Sequence, residues 1–147
     1  MEQFEQVEIL LVEDSALDAE LTMTALSGGN LANRITWVKD GEEALDYLFR
    51  RGAYADRAPA LPRLVLLDLK MPKVSGLEVL REIKGSEQLK HIPVVVMTSS
   101  DEESDVASTY ALGVNSYVVK PVDFNAFADV TRQAGFYWLA INRSATA

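Results

Sequence analysis

The sequence predicts an α/β protein in which an open parallel sheet is sandwiched between helices. Apolar or period-2 runs recur five times, at 7–12 (VEILLV), 34–38 (RITWV), 64–69 (LVLLDL), 92–98 (IPVVVMT) and 115–119 (NSYVV), the pattern of strands. Between them lie segments of helical periodicity with recognisable starts. The third run is apolar without alternation up to Asp68, as a strand covered on both faces is. Strands alternating with helices imply parallel pairing with helices on both faces.

Each element has its own justification. The first strand ends in Glu13-Asp14. Ser15, with Asp18 three residues on, forms a capping-box pattern for the first helix, with Leu17, Leu21 and Ala25 expected on one face and Gly28-Gly29 as the stop. After the second strand, Asp40 with Glu43 opens a helix that carries Ala44, Leu45, Leu48 and Phe49 inward. The long connection at 50–63, rich in Pro and Ala, reads as an exposed loop. The third strand ends in Asp68 and the turn KMP; Ser75 then opens a helix with the stripe Leu77, Leu80 and Ile83. The fourth strand ends in Thr98-Ser99-Ser100, and Ser100 with Glu103 opens a helix that stops near Gly113. The fifth strand runs into Lys120-Pro121. Asp123 opens the last helix, whose expected stripe is Phe124, Phe127, Ala134, Trp138 and Ile141, with Phe136 and Tyr137 pointing partly away.

Composition narrows the function classes. The 147 residues, 48% hydrophobic and 24% charged, suit one soluble globular domain with a real core. No apolar run approaches the roughly 20 residues that cross a bilayer, and the acidic start MEQFEQ is unlike a signal peptide. Cysteine is absent, so disulfide and thiolate chemistry are excluded, a cytoplasmic home is the expectation, and the sequon at Asn142 carries no meaning. A net charge of -8 argues against a general nucleic-acid binder and against docking on anionic lipid.

In open parallel sheets ligands bind outside the carboxyl ends of the strands. There the sequence places Glu13, Asp14, Asp68, Thr98 and Lys120, from four separate segments. Crowded carboxylates raise one another's pKa unless a cation neutralises them. An oxygen-only set without His or Cys favours a hard ion. Mg²⁺ suits it, since Mg²⁺ takes one or two carboxylates and leaves other positions to water and phosphoryl oxygens. Lys120 is then a fixed positive charge for a phosphoryl oxygen and Thr98 a hydroxyl donor to another. An Asp beside a metal can itself be the nucleophile, giving an acyl phosphate. Singly each piece is commonplace, a helix cap or a strand-end turn. Their joint placement is not.

These residues resemble the receiver domains of two-component response regulators, over about 7–141 of a chain that reads as one receiver domain, 1–147, too short for an added output module. The resemblance implies the (βα)5 flavodoxin-like fold with strand order 2-1-3-4-5. It implies Asp68 as phosphoacceptor and Lys120 as the phosphate-binding lysine, followed by a cis peptide to Pro121. Asp14 would be a direct Mg²⁺ ligand, Glu13 would act through water, and the Lys70 backbone carbonyl would supply a further ligand. Thr98 and Tyr117 would be the switch pair, with Tyr117 moving inward on phosphorylation. The protein would catalyse only its own phosphoryl transfer and dephosphorylation, and would signal by partner binding or phosphorelay. The loop after the second helix and the FYW near the end resemble single-domain receivers that partner bacterial phytochrome-type histidine kinases, and they imply a homodimer through the fourth helix, fifth strand and fifth helix. Two departures stand out: Lys70 occupies a position where many receivers have Asn, and Ser100, two residues after Thr98, carries neither carboxylate nor amide.

Rival readings are weaker. A haloacid-dehalogenase-type phosphatase needs a second Asp two residues after the nucleophile, where Lys70 stands. A flavodoxin-like cofactor binder needs a phosphate-cradling loop, where EDSALD stands. A binding module that uses the fold without phosphorylation predicts loss of Asp68 or Lys120, and both are present. His91 precedes the fourth strand, at the far edge from the carboxylates, and reads as surface or structural. Trp37 and Met23, Met71 and Met97 read as packing residues, and the cluster DEESD at 101–105 as a solvated helix start favoured by the helix dipole.

Overall fold

Five parallel strands form one sheet in the order β2-β1-β3-β4-β5 in this computed structural model, which describes residues 8–28, 34–143 and 145. The strands are β1 (Glu8–Val12), β2 (Arg34–Val38), β3 (Leu64–Leu67), β4 (Val94–Thr98) and β5 (Ser116–Val119). Between and after them run α1 (Ala16–Gly28), α2 (Gly41–Phe49), α3 (Gly76–Gly85), α4 (Glu103–Ala111) and α5 (Phe124–Phe136), which continues into a π turn at Tyr137–Ile141. Val7 and Gly29, expected at a strand start and a helix stop, lie outside the described residues.

Period-2 alternation sorts the sheet into two cores. Leu10, Val12, Val65, Leu67, Val94 and Val96 face α2 and α3, while Ile9, Leu11, Leu64, Leu66, Val95 and Met97 face α1 and α5. The central strands β1, β3 and β4 are buried along their length, whereas the edge strands β2 and β5 are only partly covered. That is why the third strand reads as a continuous apolar run, while the second mixes polar and apolar residues.

Local chemistry sets most helix starts as expected. The side chains of Ser15, Asp40, Ser75 and Asp123 accept hydrogen bonds from the backbone N–H of Asp18, Glu43, Glu78 and Ala126, the N-cap geometry. The fourth helix departs from expectation: its N-cap is Glu102, with no side-chain cap, because the Ser100 hydroxyl instead donates to Asp105 Oδ2 at 2.6 Å. The long loop is ordered around Arg57, which stacks 4.2 Å over the Tyr47 ring and donates to the carbonyls of Tyr47, Ala58 and Ala60.

Two expected stripes are rotated. In α1 the buried residues are Ala19, Thr22, Ala25 and Leu26, while Leu17 is 57% exposed. In α5 and its π turn they are Phe127, Thr131, Gly135 and Leu139, while Phe124 and Ile141 are exposed. Both helices bury a threonine and small residues beside Leu26 and Phe127. Thr22 and Thr131 satisfy their hydroxyls on the carbonyls of Asp18 and Phe127 one turn back, so they bury as readily as aliphatic side chains.

Candidate functional site

The carboxyl edge of the sheet gathers the site. Asp68 follows β3, and its backbone N–H donates to Val12 O at 3.0 Å, which locks it beside the end of β1. Gly76 opens α3 directly against it: a Cβ there would lie 2.1 Å from the Asp68 carbonyl oxygen, so no larger residue fits without backbone movement. Glu13 is held on four sides. Its N–H donates to Val38 O, its carbonyl accepts from the Trp37 indole at 2.7 Å, Oε2 accepts from Ser15 N, and Oε1 accepts from Lys120 Nζ at 2.6 Å. Trp37 thus packs, as expected, and also holds Glu13.

Lys120 enters from the end of β5, whose ladder continues through Lys120 N donating to Thr98 O at 2.7 Å. Its ammonium donates to Glu13 Oε1, to Asp18 Oδ2 at 2.9 Å and to Asp68 Oδ2 at 3.2 Å, with the lysine side chain only 9% exposed. The peptide to Pro121 is trans, against expectation; no cis peptide occurs among the described residues, and trans is the intrinsically favoured isomer of an X–Pro bond.

The charges pull against one another. Burial pushes the Glu13 carboxyl up to about 7 from 4.5, a rise that the hydrogen bond and charge of Lys120 only partly offset and that the Asp68 charge reinforces. Burial alone would lower the Lys120 ammonium; the hydrogen bonds to Asp18 and Glu13 and the Asp68 and Glu13 charges outweigh it and raise the group. One cation divided among three carboxylates leaves each only partly compensated, so the most buried acid still favours its proton.

Glu13, Asp14 and Asp68 offer carboxylate oxygens within 4.8 Å of one another, with Asp14 on the solvent side. Their donor set is oxygen only and their negative charge is in surplus, which fits a hard divalent cation. Lys70 stands in the loop after Asp68, its side chain exposed and its N–H donating to Asp68 Oδ1 at 3.4 Å. Thr98 is fully buried at the end of β4, and its Oγ1 accepts from Ser100 N at 3.5 Å. Tyr117 already packs against the α2–α3 core, and its hydroxyl donates to Ser100 O at 2.8 Å.

Two residues were missed in the sequence. Asp18 reads as a capping partner, yet its carboxylate reaches Lys120; the available signal is its place in the first turn of α1, just past the acidic end of β1. Asp105 reads as part of a solvated run, yet it holds the Ser100 hydroxyl. His91 is exposed ahead of β4, away from the site.

A parallel sheet of this order with acids after β1 and β3 and a lysine after β5 is the arrangement of a two-component receiver. The chain belongs to the response regulator receiver domain family, whose model matches residues 9–132. It is 46% identical over 136 residues to the probable methanogenesis regulatory protein FilR2 of Methanothrix harundinacea, covering 92% of this chain and 86% of that one. It is 40% identical over 131 residues to the response regulator Rcp1 of Synechocystis sp., covering 89% and 88%. Among solved structures, the phosphorylated cyanobacterial phytochrome response regulator RcpA matches with a TM-score of 0.91 at 37% identity, covering 96% of this chain and 99% of RcpA. The Mn²⁺-bound form of Rcp1 gives 0.88 at 37%, covering 94% and 98%, and the bacteriophytochrome response regulator AtBRR gives 0.77 at 51%, covering 95% and 96%. No described helix is long and apolar enough to cross a membrane.

Proposed function

We propose that this receiver accepts a phosphoryl group on Asp68 from a histidine kinase in a Mg²⁺-dependent reaction. The observation that carries the reading is the meeting of Lys120 Nζ with the carboxylates of Glu13 and Asp68 at the sheet edge, beside Asp14. In the step, an Asp68 carboxylate oxygen attacks the phosphorus of the kinase's phosphohistidine. The O–P bond forms as the P–N bond breaks, and the electron pair stays on the imidazole nitrogen. Mg²⁺, when bound, neutralises charge on the phosphoryl oxygens; Asp14 and Asp68, the Lys70 carbonyl and, through water, Glu13 would hold it. Lys120 takes one phosphoryl oxygen and the Thr98 hydroxyl another. Pinning Thr98 would then draw Tyr117, whose hydroxyl donates to Ser100 O, further inward.

The chain would act as one receiver domain in the cytoplasm, through a partner or a phosphorelay. A phytochrome-type kinase is the partner supported by the names of RcpA and AtBRR. A homodimer through α4, β5 and α5 is supported by Tyr110, Val119, Phe136 and Tyr137, large apolar side chains about half exposed on or after those elements. Incubation with an autophosphorylated phytochrome-type histidine kinase should move the phosphoryl group to the wild type and leave Asp68→Asn unlabelled; label on Asp68→Asn contradicts the assignment. Light scattering at micromolar concentration should give a dimer mass, and a monomer mass with and without beryllofluoride excludes the dimer.

A further inference from the structure

An ammonium has three N–H donors, and in Lys120 all three are taken: by Glu13 at 2.6 Å, Asp18 at 2.9 Å and Asp68 at 3.2 Å. Asp18 lies outside the set of carboxylates able to share a metal, yet it is nearer the ammonium than the phosphoacceptor is. Its backbone is fixed from both sides: its N–H donates to Ser15 Oγ and its carbonyl accepts from Thr22 Oγ1. Its side chain is 29% exposed, forming the solvent-side wall of the lysine's niche, whereas Glu13 forms the buried wall at 4%.

We propose that Asp18 is a positioning residue that competes with the phosphoryl group for Lys120. The inference rests on the phosphoacceptor reading of Asp68. When Asp68 carries a phosphoryl group, Lys120 must turn a donor toward a phosphoryl oxygen. Glu13 is deeply buried and makes the shortest bond, so it keeps its share. Asp18 pulls the ammonium toward α1, and its carboxylate adds negative charge beside an incoming anion. Asp18 therefore loosens the phosphorylated state and shortens its life, and it sits where the amide of Asn would retain an acceptor without the charge.

The test is the affinity of the protein for beryllofluoride, a phosphoryl mimic, in saturating Mg²⁺. Trp37, whose indole donates to the Glu13 carbonyl, supplies a fluorescence reporter at the site. Asp18→Asn should bind about threefold to tenfold more tightly than the wild type, the span between an exposed ion pair and a charge-assisted hydrogen bond. Asp18→Ala should shift affinity in the same direction. Glu20→Gln, which removes an exposed charge from the same helix, should leave it unchanged. Unchanged or weaker binding by both Asp18 variants overturns the proposal, as does a Glu20→Gln shift equal to that of Asp18→Asn, which would make the effect one of general charge. Failure of the wild type itself to bind beryllofluoride overturns the phosphoacceptor reading, and this inference with it.

Discussion

Two lysines mark opposite edges of the same sheet, and their partners differ in kind. At the amino edge, half-buried Lys84 at the end of α3 donates to the Lys90 and Ile92 carbonyls, each at 3.2 Å, and to Asn115 Oδ1 at 2.9 Å, an oxygen that also accepts from Val94 N. All of these acceptors are neutral, and burial lowers the Lys84 amine. At the carboxyl edge Lys120 meets three carboxylates and its ammonium is raised in spite of burial. The first arrangement satisfies carbonyls and fastens α3 to the starts of β4 and β5. The second crowds acids around one cation, which is a poor means of stabilising a fold and a donor set that fits a divalent ion. One edge serves structure, the other chemistry.

The largest expected effect separates the two edges. In chelator at neutral pH, Lys120→Met should destabilise the fold by about 3–5 kcal/mol by leaving buried carboxylates uncompensated, and Mg²⁺ should restore most of that. Lys84→Met should cost about 2 kcal/mol through unsatisfied carbonyls, with no return on adding Mg²⁺. Urea unfolding with and without chelator measures both; equal rescue by Mg²⁺ would erase the distinction.

A smaller effect is in pH. Because the folded Glu13 carboxyl titrates near 7 and its ordinary value is 4.5, the metal-free folded chain holds a proton in that interval that the unfolded chain has released. Stability should then fall as pH rises from about 4.5 to 7, by up to about 3 kcal/mol, and Glu13→Gln should flatten the slope. At the other edge the sign reverses. The lowered Lys84 amine loses its proton earlier in the folded chain, so its contribution makes stability rise with pH through the range just below 10.5, and Lys84→Met removes that rise.

The two ends of α3 give the smallest contrast. Gly76→Ala must push a Cβ into the Asp68 carbonyl and should cost about 1–3 kcal/mol. Gly85→Ala meets open space and should stabilise by about 0.5–1 kcal/mol. Thermal unfolding of the pair checks this, and equal losses at both positions would contradict it.

How far the sequence reveals this molecule depends on whether the information is local. Strand positions came through because burial on one or both faces writes itself into the residues, and Arg34–Val38 matches residue for residue. Caps at Ser15, Asp40, Ser75 and Asp123 came through because a cap is settled within one turn of chain. The α1 and α5 stripes did not, because Thr22 and Thr131 bury by bonding carbonyls within their own helix, while Leu17 and Phe124 lie exposed although hydropathy marks them as core. The convergence of Glu13, Asp14, Asp68 and Lys120 was legible from strand ends alone. The Asp18 contact spans 102 positions of chain, and the capture of Ser100 by Asp105 replaced a cap that spacing alone favoured.

If Asp68 is the phosphoacceptor, the acidic cluster must hold a divalent ion for it to act. Intact-mass analysis after incubation with acetyl phosphate and Mg²⁺ tests this most directly. The wild type should gain one phosphoryl group, and the gain should be lost in chelator and lost in Asp68→Asn. A gain of the same mass by Asp68→Asn, or one that chelator leaves untouched, would contradict it.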